Sequence, residues 1–139
     1  MIRFYGYEKC STCRKAKVLL SKRGVSFEEI DITKTPPPKS LLQSILAMGT
    51  YRLPELFNRS GQLYRKMRMS ERLKTMRETE SLELLATHGK LLKRPVITDG
   101  KRATVGFDEE RLVREWATGA QALSPRRRSN ASTFGGRRS

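Results

Sequence analysis

Short apolar runs and helical apolar spacing alternate along the first part of the chain. Residues 2–5 are mainly apolar and stop before Gly6, a pattern that favours a buried β-strand. In residues 11–23 the apolar positions recur at helical spacing between basic ones, and Gly24 follows where a helix C-cap is expected. Residues 25–32 alternate in part between apolar and polar side chains and predict a second strand. These segments together predict a βαβ unit.

A mainly helical segment is predicted after this unit. Three consecutive prolines interrupt the pattern, and proline is tolerated in a loop or at a helix start but not inside a helix. Residues 41–48 then present one apolar helical face, and residues 51–92 carry further helical stripes. Breaks are expected near residues 60–61 and at residue 89. The pattern therefore predicts a helical insertion over about residues 36–92.

The last part of the pattern predicts a hairpin and a helix. Residues 95–98 and 102–105 flank Asp99–Gly100, a dipeptide typical of a type I′ turn. Residues 108–117 predict a final helix with Asp108 as its N-cap. The complete order predicts an α/β protein with a thioredoxin-like fold, in which the helical insertion lies between the βαβ unit and the C-terminal hairpin plus helix.

The composition fits one folded domain. The chain has 139 residues, of which 37% are hydrophobic, enough to form a core, and this argues against global disorder. No apolar run approaches the ~20 residues of a membrane span. The N-terminus also lacks the apolar core of a signal peptide. We therefore expect a cytoplasmic protein without a membrane partner.

The formal net charge of +15 is distributed in two parts. Residues 120–139 carry five arginines and no acidic residue, and they contain Ser, Gly and Pro without a hydrophobic period. They predict a disordered basic tail after a domain of residues 1–119, which itself carries +10. The tail fits either a solvated end or an arm that contacts nucleic acid non-specifically through its phosphates.

Two cysteines lie where the first strand leads into the first helix. The unpaired N–H groups and the dipole at a helix start favour a thiolate at Cys10, and a thiol with a lowered pKa is a nucleophile near neutral pH. Cys13, one helical turn further on, can attack a mixed disulfide and release the product. Several basic residues add positive charge nearby: Lys9, Arg14, Lys15 and Lys17. This spacing beside a βαβ unit predicts redox chemistry.

Two other interpretations of the cysteines remain open. They can form half of a zinc site, but zinc usually takes four ligands and the only other strong candidate is His88, so no metal is predicted. His88 itself fits an exposed helix end. The cysteines can also be inert packing residues, although a loop at a helix start is an unfavourable place to bury sulfur.

Arg94–Pro95, just before the predicted hairpin, is the second candidate feature. Thioredoxin-like proteins place a proline there, usually with a cis peptide bond, next to the active thiol. Arg94 can then stabilise the thiolate or bind an oxyanion through its fork of N–H donors. The alternative is a surface arginine before a proline that opens a strand.

Four blocks within residues 1–117 resemble the arsenate reductase (ArsC)/Spx family, a thioredoxin-like branch with a helical insertion. They are Phe-Tyr with Cys-Ser-Thr-Cys-Arg-Lys-Ala, Leu-Phe-Asn-Arg-Ser-Gly-Gln-Leu-Tyr-Arg, Gly-Lys-Leu-Leu-Lys-Arg-Pro-Val-Ile, and Val-Gly-Phe, in residues 4–16, 56–65, 89–97 and 105–107. Because all four occur in the right order, the resemblance is specific. The basic tail lies outside it.

The resemblance to arsenate reductases implies that Cys10 is the nucleophile that attacks arsenate. Arg14 and Arg94 match two positively charged positions of the substrate site, and Arg59 approximately matches a third. Glutathione resolves the adduct in such enzymes, which implies no bound cofactor and electrons from glutathione with glutaredoxin, or from thioredoxin. The arginine that follows the hairpin in those enzymes has no counterpart, since Gly106–Phe107 stands there.

The resemblance to Spx-type regulators implies a different role. Cys10 and Cys13 both match, as do the Arg-Pro and Gly-aromatic pairs, and such regulators bind the C-terminal domain of the RNA polymerase α-subunit under control of a disulfide. Two hypotheses follow. The preferred one is an arsenate-reductase-like thiol–disulfide oxidoreductase in which Cys13 or an external thiol resolves Cys10. The other is a redox-sensing transcriptional regulator.

Overall fold

A computed structural model describes residues 1–117, and in these residues four strands form one mixed sheet. The strands are β1 (Arg3–Gly6), β2 (Glu28–Asp31), β3 (Val96–Thr98) and β4 (Ala103–Val105). Strand β1 pairs in parallel with β2 and antiparallel with β3, and β3 pairs antiparallel with β4. The order across the sheet is therefore β2-β1-β3-β4.

The helices follow the predicted order of a βαβ unit, a helical insertion, and a hairpin with a final helix. They are α1 (Ser11–Lys22), α2 (Lys39–Ala47), α3 (Gln62–Lys66), α4 (Met69–Arg72), α5 (Glu78–Thr87) and α6 (Glu109–Leu112). The described residues also contain shorter helical turns: 3₁₀ turns at Leu53–Leu56 and Gly89–Leu91, and a π-helical turn at Val113–Ala117.

The two faces of the sheet carry separate hydrophobic cores, because successive side chains of a strand point to opposite faces. On one face Phe4 and Ile97 pack with α1, α6 and the π-helical turn. On the other face Tyr5 and Val96 pack with the helical insertion. The sheet is therefore covered on both sides, and α1 lies on the opposite side from α2 to α5.

The helical insertion is broken more often than the sequence pattern predicts. Phe57 and Leu92 pair as an isolated antiparallel bridge, which requires extended backbone inside the segment 51–92. Between α3 and α4, Arg68 has a φ of +55°, and a residue in this left-handed region cannot continue an α-helix. The apolar stripes thus predict correctly which face of the insertion is buried. The positions at which its helices end are set by the Phe57–Leu92 bridge and by the turn at Arg68.

The hairpin of β3 and β4 is confirmed, but the predicted type I′ turn is wrong. Thr98 pairs with Ala103, so residues 99–102 form a four-residue loop. Within this loop only Gly100 has a positive φ, of +95°. The Asp99 carboxylate instead accepts hydrogen bonds of 2.9 and 2.8 Å from the backbone N–H groups two and three residues further on. The side chain thereby stabilises the longer loop.

Two element lengths also differ from the prediction. Strand β2 has four residues, half of the predicted 25–32. The helix predicted over 108–117 is divided into α6 and the π-helical turn, although its N-cap is confirmed, because Asp108 Oδ1 accepts a 3.2 Å hydrogen bond from the backbone of Arg111.

The predicted tail, residues 120–139, lies outside the described residues, as do residues 118–119. The domain boundary at residue 119 therefore stays a prediction. Within residues 1–117, no helix has the length and apolar character needed to cross a membrane.

Gly89 gives the first testable prediction, because it lies directly against the end of the βαβ unit. A Cβ atom at Gly89 would overlap the carbonyl oxygen of Ile32. We expect Gly89→Ala to lower the free energy of unfolding by about 1–3 kcal/mol, measured by urea denaturation. Ser70→Ala, at an exposed position, is the control and should change it by less than about 0.5 kcal/mol. Equal stability of the two variants would contradict the close contact.

Candidate active site

The sheet brings two distant chain segments together at one of its ends. The chain leaves β1 after Gly6 and reaches Cys10 at the start of α1, whereas Arg94–Pro95 immediately precedes β3. Tyr5 is paired with Val96 in antiparallel register. The end of β1 and the beginning of β3 therefore lie at the same end of the sheet, and the two candidate features meet there.

Cys10 occupies the N-cap position of α1. Its backbone N–H donates to the carbonyl of Tyr7 over 3.0 Å. Its Sγ lies 3.1 Å from the hydroxyl oxygen of Thr12, and that hydroxyl also lies 3.3 Å from the carbonyl oxygen of Arg94, to which it can donate. A hydrogen-bonded path thus connects the Cys10 sulfur with the segment before β3. Sequence reasoning did not single out Thr12.

The pKa of Cys10 is lowered in this environment. Partial burial opposes its ionisation, but interactions of Sγ with the Cys13 thiol, the Thr12 hydroxyl, the Cys13 backbone and the Arg94 side chain outweigh burial and lower the pKa of Cys10 to about 7. The direction agrees with the expectation from the sequence. The cause agrees in part, since the Cys13 backbone at the start of α1 and Arg94 were both expected to stabilise the thiolate. The basic residues of α1 that were expected to add to this effect are not among the groups that lower the pKa of Cys10.

Cys13 has the opposite character. Its side chain is fully buried in the core that α1 forms with the sheet, so the expectation that sulfur is not buried at this helix start is wrong for Cys13. Burial and the neighbouring Cys10 raise the pKa of Cys13 to about 12. Both cysteines are free thiols. Cys10 is therefore the accessible, ionisable sulfur of the pair, and Cys13 is the protected one.

The Arg94–Pro95 peptide bond is cis, as the resemblance to thioredoxin-like proteins implied. The Arg94 side chain interacts with Cys10 and also lies over the ring of Tyr7, with its guanidinium carbon 5.9 Å from the ring centroid. Lys90 approaches the same ring, with Nζ at 5.9 Å. Two cations from the segment before β3 thus contact one aromatic side chain beside the cysteine. Tyr7 is a further residue that the sequence did not indicate.

No side-chain hydrogen bond or ion pair within residues 1–117 joins Arg14 or Arg59 to Cys10 or Arg94. Arg14 is exposed, and its Nη1 donates to the carbonyl of Glu8 over 3.1 Å. Arg59 is also exposed and forms no hydrogen bond or ion pair with the described residues. Of the three arginines singled out from the sequence, the structure thus places one, Arg94, in contact with the thiol.

His88 lies exposed at the C-terminal end of α5. Within residues 1–117 there is no group of three or more His, Cys, Asp or Glu side chains that could hold a metal ion.

A groove along α1 is lined by basic and apolar side chains and by Glu109, but by neither cysteine. The groove has a volume of about 640 Å³ and is closed on its other side by Phe107 at the approach to α6. Val18 lies in it and is 52% exposed. Basic residues of α1 also line it: Arg14, Lys15 and Lys22. The groove is open to solvent and large enough for a segment of another protein.

The class of protein follows from this geometry and from similar structures. The chain has a thioredoxin-like fold whose paired cysteines lie where β1 leads into α1. The model of the ArsC family matches residues 5–114, and the chain therefore belongs to the ArsC family. This confirms the resemblance found in the sequence.

Proteins with different described functions are similar to this chain. YusI of Bacillus subtilis, an uncharacterized protein, is 46% identical over 82% of this chain and 97% of its own length. The global transcriptional regulator Spx of Streptococcus pneumoniae is 30% identical over 81% of this chain and 83% of its own. A crystal structure of a possible arsenate reductase from Streptococcus mutans is 38% identical, with a TM-score of 0.72 over 77% of this chain and 91% of that chain.

The contrast between the two thiols is directly testable. We expect iodoacetamide to modify Cys10 at a rate that rises with pH through a midpoint near 7, because the thiolate is the reactive form. Cys13 should stay unmodified in the folded protein, since it is buried and its pKa is raised. Mass spectrometry of the separate peptides measures both rates. Equal modification of the two cysteines would contradict the structure.

Lys90 and Arg94 supply a matched control pair for this measurement, because both contact Tyr7 but only Arg94 interacts with Cys10. Arg94→Met should move the midpoint for Cys10 upward by about one unit. Lys90→Met should leave it in place. The same shift in both variants would mean that general positive charge, not the Arg94 contact, sets the pKa.

Proposed function

We propose that this protein is an arsenate-reductase-like thiol–disulfide oxidoreductase in which Cys10 is the nucleophile and Cys13 the resolving thiol. The observation that carries the proposal is the opposed pair of sulfurs at the start of α1: an accessible Cys10 with a pKa of about 7, and a buried Cys13 beside it. A nucleophile that is ionised near neutral pH next to a protonated second thiol is the arrangement that thiol–disulfide exchange requires.

The first half of the proposed reaction forms an adduct on Cys10. The thiolate attacks one sulfur of a disulfide substrate, the other sulfur leaves as a thiolate, and Cys10 carries a mixed disulfide. Cys13 then loses its proton and attacks Cys10 Sγ. The adduct bond breaks, its sulfur leaves with the electron pair, and a Cys10–Cys13 disulfide remains. Two electrons have passed from the cysteines to the substrate.

Arsenate fits the same sequence of steps. Cys10 Sγ would bond to arsenic with loss of one oxygen as water. Attack on Cys10 Sγ by Cys13 or by an external thiol then breaks the S–As bond, and the electron pair stays with arsenic, which leaves as arsenite. Two electrons from glutathione with glutaredoxin, or from thioredoxin, would restore the thiols. These donors belong to reducing compartments, so the proposed location is the cytoplasm.

The arginines and Pro95 also have proposed roles in the site. Arg94 would bind the substrate anion or stabilise the Cys10 thiolate, and Pro95 would hold the segment that carries it against the thiol. Arg14 and Arg59 would add further positive charge to an anion site. Because one arginine contacts the thiol, the support for disulfide exchange is stronger than the support for arsenate as the substrate.

Turnover with arsenate and separate electron donors tests this function. Oxidation of NADPH should depend on arsenate when glutathione with glutaredoxin, or thioredoxin, is supplied with its reductase. Cys10→Ser should abolish turnover, because no nucleophile remains. Cys13→Ser should abolish turnover with thioredoxin, yet keep part of it with glutathione, which can resolve the adduct from outside. No turnover by the wild type with any donor, on arsenate or on a small disulfide, would refute the proposal.

A second function is favoured by a separate observation. The chain is similar to the regulator Spx along most of both lengths, and of the three candidate arginines Arg94 is the one among the described groups that lower the pKa of Cys10. In this role a Cys10–Cys13 disulfide would remove the thiolate and change the adjoining surface. The partner would be the C-terminal domain of the RNA polymerase α-subunit, with the basic tail adding non-specific contact to nucleic acid.

Binding under two redox conditions tests the regulator. The purified C-terminal domain of the α-subunit should bind the immobilised protein in one redox state at least about tenfold more tightly than in the other. Cys10→Ser together with Cys13→Ser should remove the difference, because neither sulfur can oxidise. Absence of binding in both states, or equal binding in both, would reject this second function.

A further inference from the structure

The hydroxyl of Thr12 faces two hydrogen-bond acceptors with one hydrogen. Its oxygen is 3.1 Å from Cys10 Sγ and 3.3 Å from the carbonyl oxygen of Arg94. A threonine hydroxyl can donate one hydrogen bond and accept others. It can therefore donate to the sulfur or to the carbonyl, but not fully to both. Which of them receives the hydrogen depends on the state of Cys10.

The proton count distinguishes the states of Cys10. A neutral Cys10 thiol carries its own hydrogen and can donate it to the Thr12 oxygen, which leaves the Thr12 hydrogen for the Arg94 carbonyl. A Cys10 thiolate has no hydrogen and bears a negative charge. Hydrogen bonds to charged acceptors are stronger than those to neutral ones, so the Thr12 hydroxyl then turns to the sulfur. A disulfide sulfur is again neutral, and the hydroxyl returns to the carbonyl.

We propose that Thr12 is a positioning residue whose hydroxyl turns between Cys10 Sγ and the Arg94 carbonyl, so that it stabilises the thiolate and releases the Arg94–Pro95 segment when the thiolate forms. The inference rests on the proposed thiol chemistry of Cys10. It adds Thr12 to the proposed site, and it states that ionisation of Cys10 changes the hydrogen bonding of the backbone before β3. No proton is transferred in this step, because only the O–H bond rotates.

Among residues 1–117, no other side chain is hydrogen-bonded to both Cys10 Sγ and the Arg94 carbonyl. The Arg94 guanidinium has donors but no acceptor, and the Cys13 thiol is buried beside the same sulfur. The charged residues at the β1–α1 junction are exposed and act at most through general charge: Glu8, Lys9 and Arg14. Ser11, the other hydroxyl residue of the motif, is exposed, and its hydroxyl makes no hydrogen bond with the described residues. Ser11 is therefore the natural control position.

The exchange also links the thiol to the sheet. Arg94 precedes Pro95, whose nitrogen carries no hydrogen, so the Arg94 carbonyl is the hydrogen-bonding group of that peptide unit. Strand β3 begins one residue later and pairs with β1 on one side and β4 on the other. Loss of the Thr12 hydrogen bond thus acts on the entry to a central strand. The site where Cys10 ionises and the segment that carries Arg94 become one coupled unit.

The first experiment measures the pKa of Cys10 in three variants by the pH dependence of its iodoacetamide modification. Thr12→Val keeps the shape of the side chain without the hydroxyl and should raise the pKa of Cys10 by about one unit. Thr12→Ser restores the hydroxyl and should return the pKa to within about 0.3 units of the wild type. Ser11→Ala should leave it unchanged. Thermal unfolding of each variant checks that the fold is intact.

The second experiment reads the Arg94 carbonyl, which a merely structural threonine would not move. Arg94–Pro95 is the one Arg-Pro pair in the sequence, so ¹³C-carbonyl arginine combined with ¹⁵N-proline labels a single peptide bond. In the wild type its carbonyl shift should change as pH passes through the Cys10 pKa of about 7. In Thr12→Val, and in Cys10→Ser, the shift should not titrate.

Each outcome decides the proposal. An unchanged Cys10 pKa in Thr12→Val would overturn it, and so would a wild-type carbonyl signal that does not titrate or a titration that persists without the hydroxyl. These results are separable from the proposed function, because the two measurements need no substrate. A protein that turns over substrate but fails them retains the function and loses this role for Thr12. A protein that gives both expected results but does not turn over substrate retains this role for Thr12 and loses the proposed function.

Discussion

The antiparallel pairing of β1 with β3 is the constraint on which the candidate site depends. It fixes Tyr5 opposite Val96, so the chain leaving β1 and the chain entering β3 occupy the same end of the sheet. The nucleophile Cys10 follows the first of these segments, and Arg94 belongs to the second. The pairing therefore brings the two segments close enough for the Arg94 side chain to interact with Cys10. This proximity is a consequence of register, and a shift of that register would separate the two features.

Local elements were predictable because their signals are local. The apolar run of β1, the helical spacing of α1, and the Asp108 cap are read from a few neighbouring residues, and the structure contains each of them. The sequence predicted where the helical insertion lies in the chain, but not where its individual helices begin and end. A bridge between Phe57 and Leu92 and the left-handed φ of Arg68 depend on distant pairing and on turn geometry, which helical periodicity does not encode.

The candidate site was predictable in its sulfurs and in Arg94, but not in the contacts of Thr12. Position at a helix start identified Cys10, whereas the Thr12 hydrogen bond to Arg94 exists only after the sheet has formed. Burial of Cys13 was missed for a related reason. A residue in the first turn of α1 lies in solvent unless the helix packs against the sheet on that face, and here it does. Sequence reasoning thus overestimated the general basic charge of α1, identified Cys13 and Arg94 as neighbours of the sulfur, and missed Thr12.

The burial of Cys13 also bears on the choice between enzyme and regulator. On the proposed chemistry, a reducing thiol can reach only Cys10 of the Cys10–Cys13 disulfide, so Cys13 is the sulfur that must leave. A thiol with a high pKa is a poor leaving group, and burial remains after the Cys10 charge has gone. Reduction of the proposed disulfide would therefore be slow. Slow reduction of the disulfide would limit turnover in an oxidoreductase, but it would give a redox sensor a long-lived oxidised state. The burial of Cys13 therefore counts against rapid catalysis and in favour of the regulator.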